Sequence, residues 1–349
     1  MFSPKYTITD KLLSQIKRIN SLVSDLNDRR FPSVVLLEFE RIAREVSSFA
    51  STSIEGNPLP LTEVKKILKT KPDYLRDSEK EVLNYNQALQ NLNRIIEQGS
   101  FALSLDLILN TQKQVTHELL PASDNGRLRQ KPVVVNDPRT GQVVYLPADV
   151  QDVKMLMKDL VEFVAQNTFS SSIGIDPLII AGIFHKQMVL IHPFIDGNGR
   201  TTRLMTKLLL AQMGLNTFNL FSFENYYNQN VTKYFQTVGE FGNYYDLADN
   251  IDFTLWLEYF TEGIIDELLR VQKLLPTIEA SPKNQLQHHH LVILNYIKEN
   301  GFIADRDYAK LVDRAKATRT VDFQKLIELG LIERKGKGRA TYYVVPENK

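Results

Sequence analysis

Within twelve residues, His192-Pro193-Phe194-Ile195-Asp196-Gly197-Asn198-Gly199-Arg200-Thr201-Thr202-Arg203 gathers an imidazole, a carboxylate, two glycines and two arginines. His192 is the natural general base, because imidazole titrates near neutral pH. Asp196 is a hard oxygen ligand of the kind that holds Mg²⁺ together with substrate phosphates. Gly197 and Gly199 carry no Cβ, so the backbone can come close to an anion. Arg200 and Arg203 lie three apart, share a helix face and offer forked donors to phosphate oxygens. Pro193 and the glycine pair predict a loop. Helical spacing resumes after Thr201 with Leu204, Leu208 and Ala211, and Leu209 beside them. The loop thus opens onto a helix N-terminus, whose unpaired N–H groups and dipole attract phosphate. A Gly-x-Gly before a helix is by itself an ordinary turn, and a lone histidine is ordinary packing. The ordered density of all these groups in one loop points to a phosphate-handling site.

This stretch resembles the signature of the Fic family, His-x-Phe-x-Asp/Glu-Gly-Asn-Gly-Arg-x-x-Arg, with every defined position matched. The resemblance implies nucleotidyl transfer, most often of AMP from ATP to a Ser, Thr or Tyr hydroxyl of a protein, with Mg²⁺ required. It implies that His192 deprotonates the target hydroxyl and that Asp196 holds Mg²⁺ on the α- and β-phosphates. Asn198 and the Gly197–Gly199 backbone would cradle phosphate, Arg200 and Arg203 would bind the β/γ end, and Phe194 would anchor the loop in the core.

The elements that position this loop are helical. Leu12, Leu13, Ile16, Ile19, Leu22, Val23 and Leu26 predict an amphipathic helix over Thr9 to Arg29. A second helix is predicted from Ser33 as N-cap, after Pro32, through Val34, Leu37, Phe39, Ile42 and Val46 to Ser51 and beyond. Gly56 suits its C-cap and Pro58 blocks continuation. Glu55 then sits in the last turn, where the helix dipole disfavours a carboxylate by a few tenths to about 1 kcal/mol. That suggests a cationic partner, although a solvated glutamate is equally ordinary. The same piece resembles the Fic inhibitory motif Ser/Thr-x-x-x-Glu-Gly/Asn, matched by Ser51, Glu55 and Gly56. The resemblance implies that Glu55 pairs with Arg203 and blocks the productive γ-phosphate position, as in the class whose inhibitory helix precedes the catalytic core.

Further helices are predicted over Leu61–Leu68, Asp77–Ile96 and Leu103–Leu120, with His117 inside the last as a helix residue. The run Val133-Val134-Val135-Asn136, a break through Gly141, and Val143-Val144-Tyr145-Leu146 predict a hairpin. It is either a small structural hairpin or an exposed edge that takes up an extended peptide by strand addition. The resemblance implies the second, a flap that registers the target beside His192 through Val133, Val134 and Val135. Gly126 and Arg129 match its Gly-x-x-Arg lead-in, while Tyr145-Leu146-Pro147-Ala148 departs from the family's Tyr-x-Pro-Pro. After an amphipathic helix over Val150–Ala165, Asp176-Pro177 opens an almost wholly apolar helix running into the signature. His185 within it reads as a structural polar contact. The signature helix is predicted to end near Gly214. Asn225 to Phe235 then interleaves aromatics with amides, which suits adenine, although Tyr226 and Tyr234 would serve equally as core. The resemblance places Tyr226, Gln229 and Asn230 at the nucleotide base. Trp256 and Phe260 read as packing on the last helix of the core.

Beyond the boundary at Leu275-Pro276 to Ser281-Pro282-Lys283-Asn284, helices are predicted over Leu286–Glu299, Asp305–Leu311 and Thr318–Leu329. Two strands follow, flanking Lys335-Gly336-Lys337-Gly338-Arg339. Three helices and a basic hairpin resemble a winged helix. Arg314, Lys316 and Arg319, with Lys335, Lys337 and Arg339, form a cationic patch that could meet DNA. Nearby Asp305, Asp307, Asp313, Asp322 and Glu328 favour a protein-docking module instead.

The 349 residues allow two or three domains, with 43% hydrophobic and 24% charged residues, an ordinary globular balance. A net charge of +1 argues for no global attraction to nucleic acid or membrane. The chain has no cysteine, so disulfides and thiolate metal sites are excluded. No apolar run reaches the ~18 residues of a membrane span, and the polar start predicts a cytoplasmic protein. Asn230-Val231-Thr232 reads as a chance sequon, and His288-His289-His290 as a linker–helix junction. The expected fold is all-α: a Fic-type helical core with a β-hairpin flap, plus a C-terminal winged-helix domain. The expected domains are an N-terminal helical region over 1–115 with the inhibitory motif, the catalytic core over 116–263, a linker over 264–284 and a winged-helix-like domain over 285–349. The partners implied are a protein with a hydroxyl side chain, a second copy in a homodimer and, through the C-terminal patch, DNA. Two other activities compete with transfer: removal of AMP from a modified protein, with Glu55 orienting water, and a DNA-binding regulator with a Fic sensor core.

Overall fold

Helix α1, Asp10–Asn27, starts where the Thr9 hydroxyl accepts from Leu12 N. Its buried stripe is Leu12, Ile16, Ile19, Leu22, Val23 and Leu26, while the expected Leu13 is 42% exposed. α2, Ser33–Ile54, stops at Glu55, and Gly56 takes φ +93°, the left-handed conformation that ends a helix at little cost to glycine. Ser33 is thus a helical residue rather than the cap. The computed structural model describes residues 2–28, 33–70, 72, 74–99, 102–136, 141–168, 174–212, 222–279 and 286–346, so Pro32 lies outside the described residues.

α3 is Leu61–Thr70 and α4 Asp77–Glu97. α5 is Leu105–Val115, capped by Ser104, and it is shorter than expected. The chain leaves the helix at Thr116 and returns Gly126 N to Gln112 Oε1 at 2.6 Å, with Glu118 at φ +55° on the way. His117 therefore lies in a turn and not inside a helix. The hairpin pairs β1, Val135–Asn136, with β2, Val143–Leu146, antiparallel, Val135 opposite Tyr145. Val133 and Val134, expected in the first strand, precede it without ladder pairing, and the turn over 137–140 lies outside the described residues. A strand not expected from sequence, β3 at Gly242–Asn243, adds to β2 in parallel. The order β1-β2-β3 leaves the outer edge of β1 unpaired among the described residues.

α6 is Val150–Thr168. α7, Pro177–Ile191, opens with Asp176 accepting from Leu178 N and proline at N1. It is buried on nearly every side, as its composition requires. α8 is Asn198–Gln212, starting inside the signature, earlier than the expected Thr201; Gly214 lies outside the described residues. α9 Glu224–Gln229, α10 Val231–Val238, α11 Tyr244–Leu247 and α12 Thr254–Glu279 complete the run. α12 continues through much of the expected linker because Ile264, Leu268, Val271 and Leu275 bury one face at helical spacing. Residues 280–285, with Ser281 to Asn284, lie outside the described residues.

The chain forms two units: residues 1–29 with 40–272, and residues 30–39 with 273–349. The division expected at 115/116 is absent, since α4 and α5 pack directly on α8. In the second unit α13 His288–Asn300, α14 Asp305–Leu311 and α15 Lys316–Glu328 precede the hairpin β4 Glu333–Lys335 and β5 Tyr342–Val344. Ile303 bridges to Tyr343. Ile293, Ile297, Ile303, Tyr308, Phe323, Leu326, Leu331 and Ile332 form its core. No helix among the described residues is long and apolar enough to cross a membrane.

Candidate active site

α7 delivers His192 and α8 receives the loop that follows. His192 caps α7 with φ 50° and ψ 58°, an uncommon conformation for a side-chain-bearing residue, which turns the chain out of the helix. The loop is held shut by Asn198, whose Oδ1 accepts from Phe194 N and whose Nδ2 donates to Phe194 O, each at 2.9 Å. Phe194 is fully buried beneath it. Arg129, also buried, fixes the loop from the flap side: its Nε donates to His192 O and its own N–H to Pro193 O. Gln112 on α5 donates to Asp196 O at 3.1 Å. A Cβ at Gly197 would stand 2.8 Å from Thr116 Cγ2, so only glycine fits.

His192 Nδ1 lies 3.3 Å from Val189 O. A carbonyl only accepts, so Nδ1 carries the proton and Nε2 presents a lone pair. Burial lowers the pKa of His192, helped by Arg129 and opposed by the Val189 carbonyl, Glu55 and Asp196, which favours the neutral imidazole. The Asp196 side chain is 48% exposed, and both its oxygens accept from Arg200 NH2 at 2.9 Å. Arg200, almost fully buried, also donates from NH1 to Glu81 Oε1 on α4 at 3.0 Å.

Arg203, fully buried, donates from Nε to Ser51 Oγ and from NH2 to Ser51 O, each at 2.8 Å, and from NH2 to Glu55 Oε1 at 2.7 Å. Burial pulls the Arg203 pKa down, but the adjacent Glu55, Tyr234 and Tyr85 raise it on balance. A Cβ at Gly199 would stand 2.1 Å from Glu55 Oε1, so the Glu55 carboxylate fills the hollow that this glycine leaves. Arg200 Nε, Arg203 NH1 and Thr201 Oγ1 are buried without a hydrogen-bond partner among the described residues. With the unpaired N–H groups of the first turn of α8, they make a donor set suited to an anion.

Residues 102–210, which span β1, β2, α5 to α7 and this loop, match the sequence profile of the Fic/DOC family. That segment, with the loop from His192 to Arg203 inside it, is similar to a Fic domain. Among its relatives are the protein adenylyltransferase fic-1 of Caenorhabditis elegans, 31% identical over 170 residues, and the protein adenylyltransferase Fic of Nematostella vectensis, 29% identical over 169. Each alignment covers 48% of this chain but only 31% and 37% of the relatives' own lengths. A solved Fic family protein from Desulfovibrio desulfuricans is similar over 99% of both chains, with TM-score 0.62 and 20% identity. Fic-1 of C. elegans superimposes over 76% of this chain and 73% of its own, with TM-score 0.61 and 23% identity. These two likenesses describe the fold.

Around the Fic loop, other expected site residues stand at different distances from the chemistry. Tyr226 packs on Tyr227 and Tyr259, and its hydroxyl points to Glu262 Oε2 at 3.5 Å, beside a hollow of about 310 Å³ lined by α1 and α12. Gln229 is exposed, and Asn230 Oδ1 is occupied in capping α10 at Lys233 N. Among the described contacts none of the three touches the loop. Tyr234 is the aromatic of this segment that does approach it. Its hydroxyl is 2.9 Å from His185 Nε2, and burial pushes its pKa up to about 12. His185 is the expected structural contact: the Thr206 hydroxyl donates to Thr202 O, so it accepts from His185 Nδ1–H, and Nε2 accepts from Tyr234. On the flap, Val134 is 47% exposed, while Val133 and Val135 are half-buried.

The expected cationic patch of the second unit is smaller than its sequence. Arg314 makes a two-point bond to Asp322, and Arg319 one to Asp305. Lys335 pairs with Glu333 at 2.9 Å, leaving Lys316 and Lys337 as exposed cations, and the side chain of Arg339 lies outside the described residues. Sequence reasoning missed Glu81, Gln112 and Asn57, and took Arg129 only as a flap marker. A carboxylate, an amide and an arginine on distant elements carry no local signal. Only the packing of α4 and α5 on α8 makes them neighbours.

Proposed function

We propose that this chain transfers AMP from ATP to a Ser, Thr or Tyr hydroxyl of a protein and that Glu55 holds the reaction back. The observation that carries the proposal is His192 Nδ1 placed against the Val189 carbonyl, which leaves Nε2 as a proton acceptor, beside a loop whose buried arginine donors lack partners among the described residues. In this reading the target oxygen attacks the α-phosphorus, its proton passes to His192 Nε2, and the bond to the bridging oxygen breaks so that pyrophosphate leaves. Arg200 and Arg203 bind the phosphate end and neutralise the charge on the leaving group. Asp196, half-exposed and, among the described residues, bonded to Arg200 and the Gly197 N–H, fits a divalent-cation ligand. Asp196 would hold Mg²⁺, which would supply further charge neutralisation at the phosphates.

The target segment is read as adding to the open edge of β1 through Val133–Val135. The names of the relatives support adenylyl transfer as the reaction class. A homodimer rests on the family likeness alone. The helix, bridge, helix, helix, hairpin order of the second unit supports the winged-helix reading. Its self-paired Arg314 and Arg319 favour protein docking over DNA. Transfer from α- and γ-labelled ATP tests the proposal: a target protein acquires the α label only. Retention of the γ label would mean a kinase and end this reading.

A further inference from the structure

Glu81 divides its two oxygens between two parts of the molecule. Oε1 accepts from Arg200 NH1 at 3.0 Å, and Oε2 accepts from Asn57 Nδ2 at 2.7 Å. Asn57 is itself fixed: Nδ2 also donates to Ser78 O, and Oδ1 accepts from Leu59 N. Glu81 lies on α4, outside the loop that carries Asp196 and Arg200, and the oxygen that faces Arg200 is not the one that meets Asn57. Arg200 in turn is shared between two carboxylates, Glu81 through NH1 and Asp196 through NH2. The geometry points to Glu81 as a positioning residue: by keeping Arg200 compensated from α4, it leaves the Asp196 carboxylate able to exchange its arginine for a divalent cation.

Two effects act in the same direction. For Asp196 to bind a cation it must give up the bonds from Arg200 NH2. With Glu81 present, the buried guanidinium keeps one carboxylate and is not left as an uncompensated buried charge. Without Glu81, Asp196 would be the only compensating carboxylate among the described residues, and the arginine would hold it more tightly. Glu81 also adds one negative charge near the site, which favours a cation by direct attraction.

The inference rests on the reading of Asp196 as the cation ligand, and the test separates the two. The full-length chain carrying Glu55→Gly is titrated with Mn²⁺ in the presence of an ATP analogue with a methylene between the α- and β-phosphorus. Bound Mn²⁺ is read from the loss of the free-ion electron paramagnetic resonance signal, with no turnover involved. Glu81→Gln, which keeps the shape and the Asn57 bond, should raise the Mn²⁺ half-saturation about five- to tenfold. Glu81→Asp, which keeps the charge, should restore most of it. Asn57→Ala should stay within about twofold of the parent, because it contacts only the other oxygen. If Asp196→Ala abolishes binding while Glu81→Gln leaves it unchanged, Glu81 has no such role. An equal loss in Glu81→Gln and Asn57→Ala would mark a merely structural contact and overturn the inference as well. Undiminished binding in Asp196→Ala would remove the metal assignment itself, and this inference with it.

Discussion

Replacing Glu55 by glycine is the perturbation most directly tied to the geometry. The mutation removes one acceptor from Arg203 NH2, at 2.7 Å, and clears the carboxylate oxygen from the hollow at Gly199. A hydrogen bond involving a charged partner contributes about 1.5–3 kcal/mol. The Glu55 side chain is 29% exposed, so water screens the pair and the lower half of that range applies. About 1.4 kcal/mol corresponds to a tenfold shift in the population of the competent state, so we expect AMP transfer to rise about tenfold or somewhat more. Arg203 stays oriented by Ser51 Oγ and Ser51 O, so the phosphate clamp survives the mutation. Glu55 already lies beyond the last residue of α2, so the fold should lose no more than about 1 kcal/mol. The assay is incorporation of the α-phosphate label from ATP into the chain itself and into added proteins. Arg203→Ala must not mimic the activation, because it removes the clamp together with the brake. Wild-type or lower transfer by folded Glu55→Gly protein would refute the reasoning. Loss of a pre-existing AMP-removing activity in that variant would instead assign Glu55 to the reverse reaction.

Four further outcomes can be measured. His192→Ala should abolish transfer while nucleotide binding, measured with a non-transferable analogue, stays within about twofold, since His192 acts on the attacking hydroxyl. In the Glu55→Gly protein the acid limb of kcat/KM should have its midpoint below the usual histidine value of 6.5, because burial favours the neutral imidazole; a midpoint above 7 would exclude His192 as the base. Glu224→Ala leaves the buried Lys207 ammonium, 3.2 Å away, without its ion partner and Tyr85 without its acceptor; urea unfolding should show a loss of about 3–5 kcal/mol. Neutralising Lys335, Lys337 and Arg339 together should leave transfer to a small model substrate unchanged. Salt-sensitive DNA binding lost in that variant would revive the DNA reading of the second unit.

Much of this was legible in the chain itself. The loop from His192 to Arg203 is continuous, so its base, carboxylate, glycines and arginines declare themselves by type and spacing. The buried α7 and the amphipathic α1 follow from apolar periodicity, and the end of α2 follows from Gly56. The short-range signal failed where a helix end depended on a distant partner. α5 stops early because Gly126 must reach Gln112, and α12 runs on because Ile264 to Leu275 find a core.

The tertiary structure alone decided which charges meet. Arg200 and Arg203 look alike in sequence, yet packing gives one to Glu81 and Asp196 and the other to Ser51 and Glu55. It likewise turned Arg314 and Arg319 from an open cationic face into internal ion pairs. Ion pairs and buried polar networks join residues that are far apart in the chain. A side chain's availability to a ligand is therefore a property of the fold and not of its neighbours in sequence.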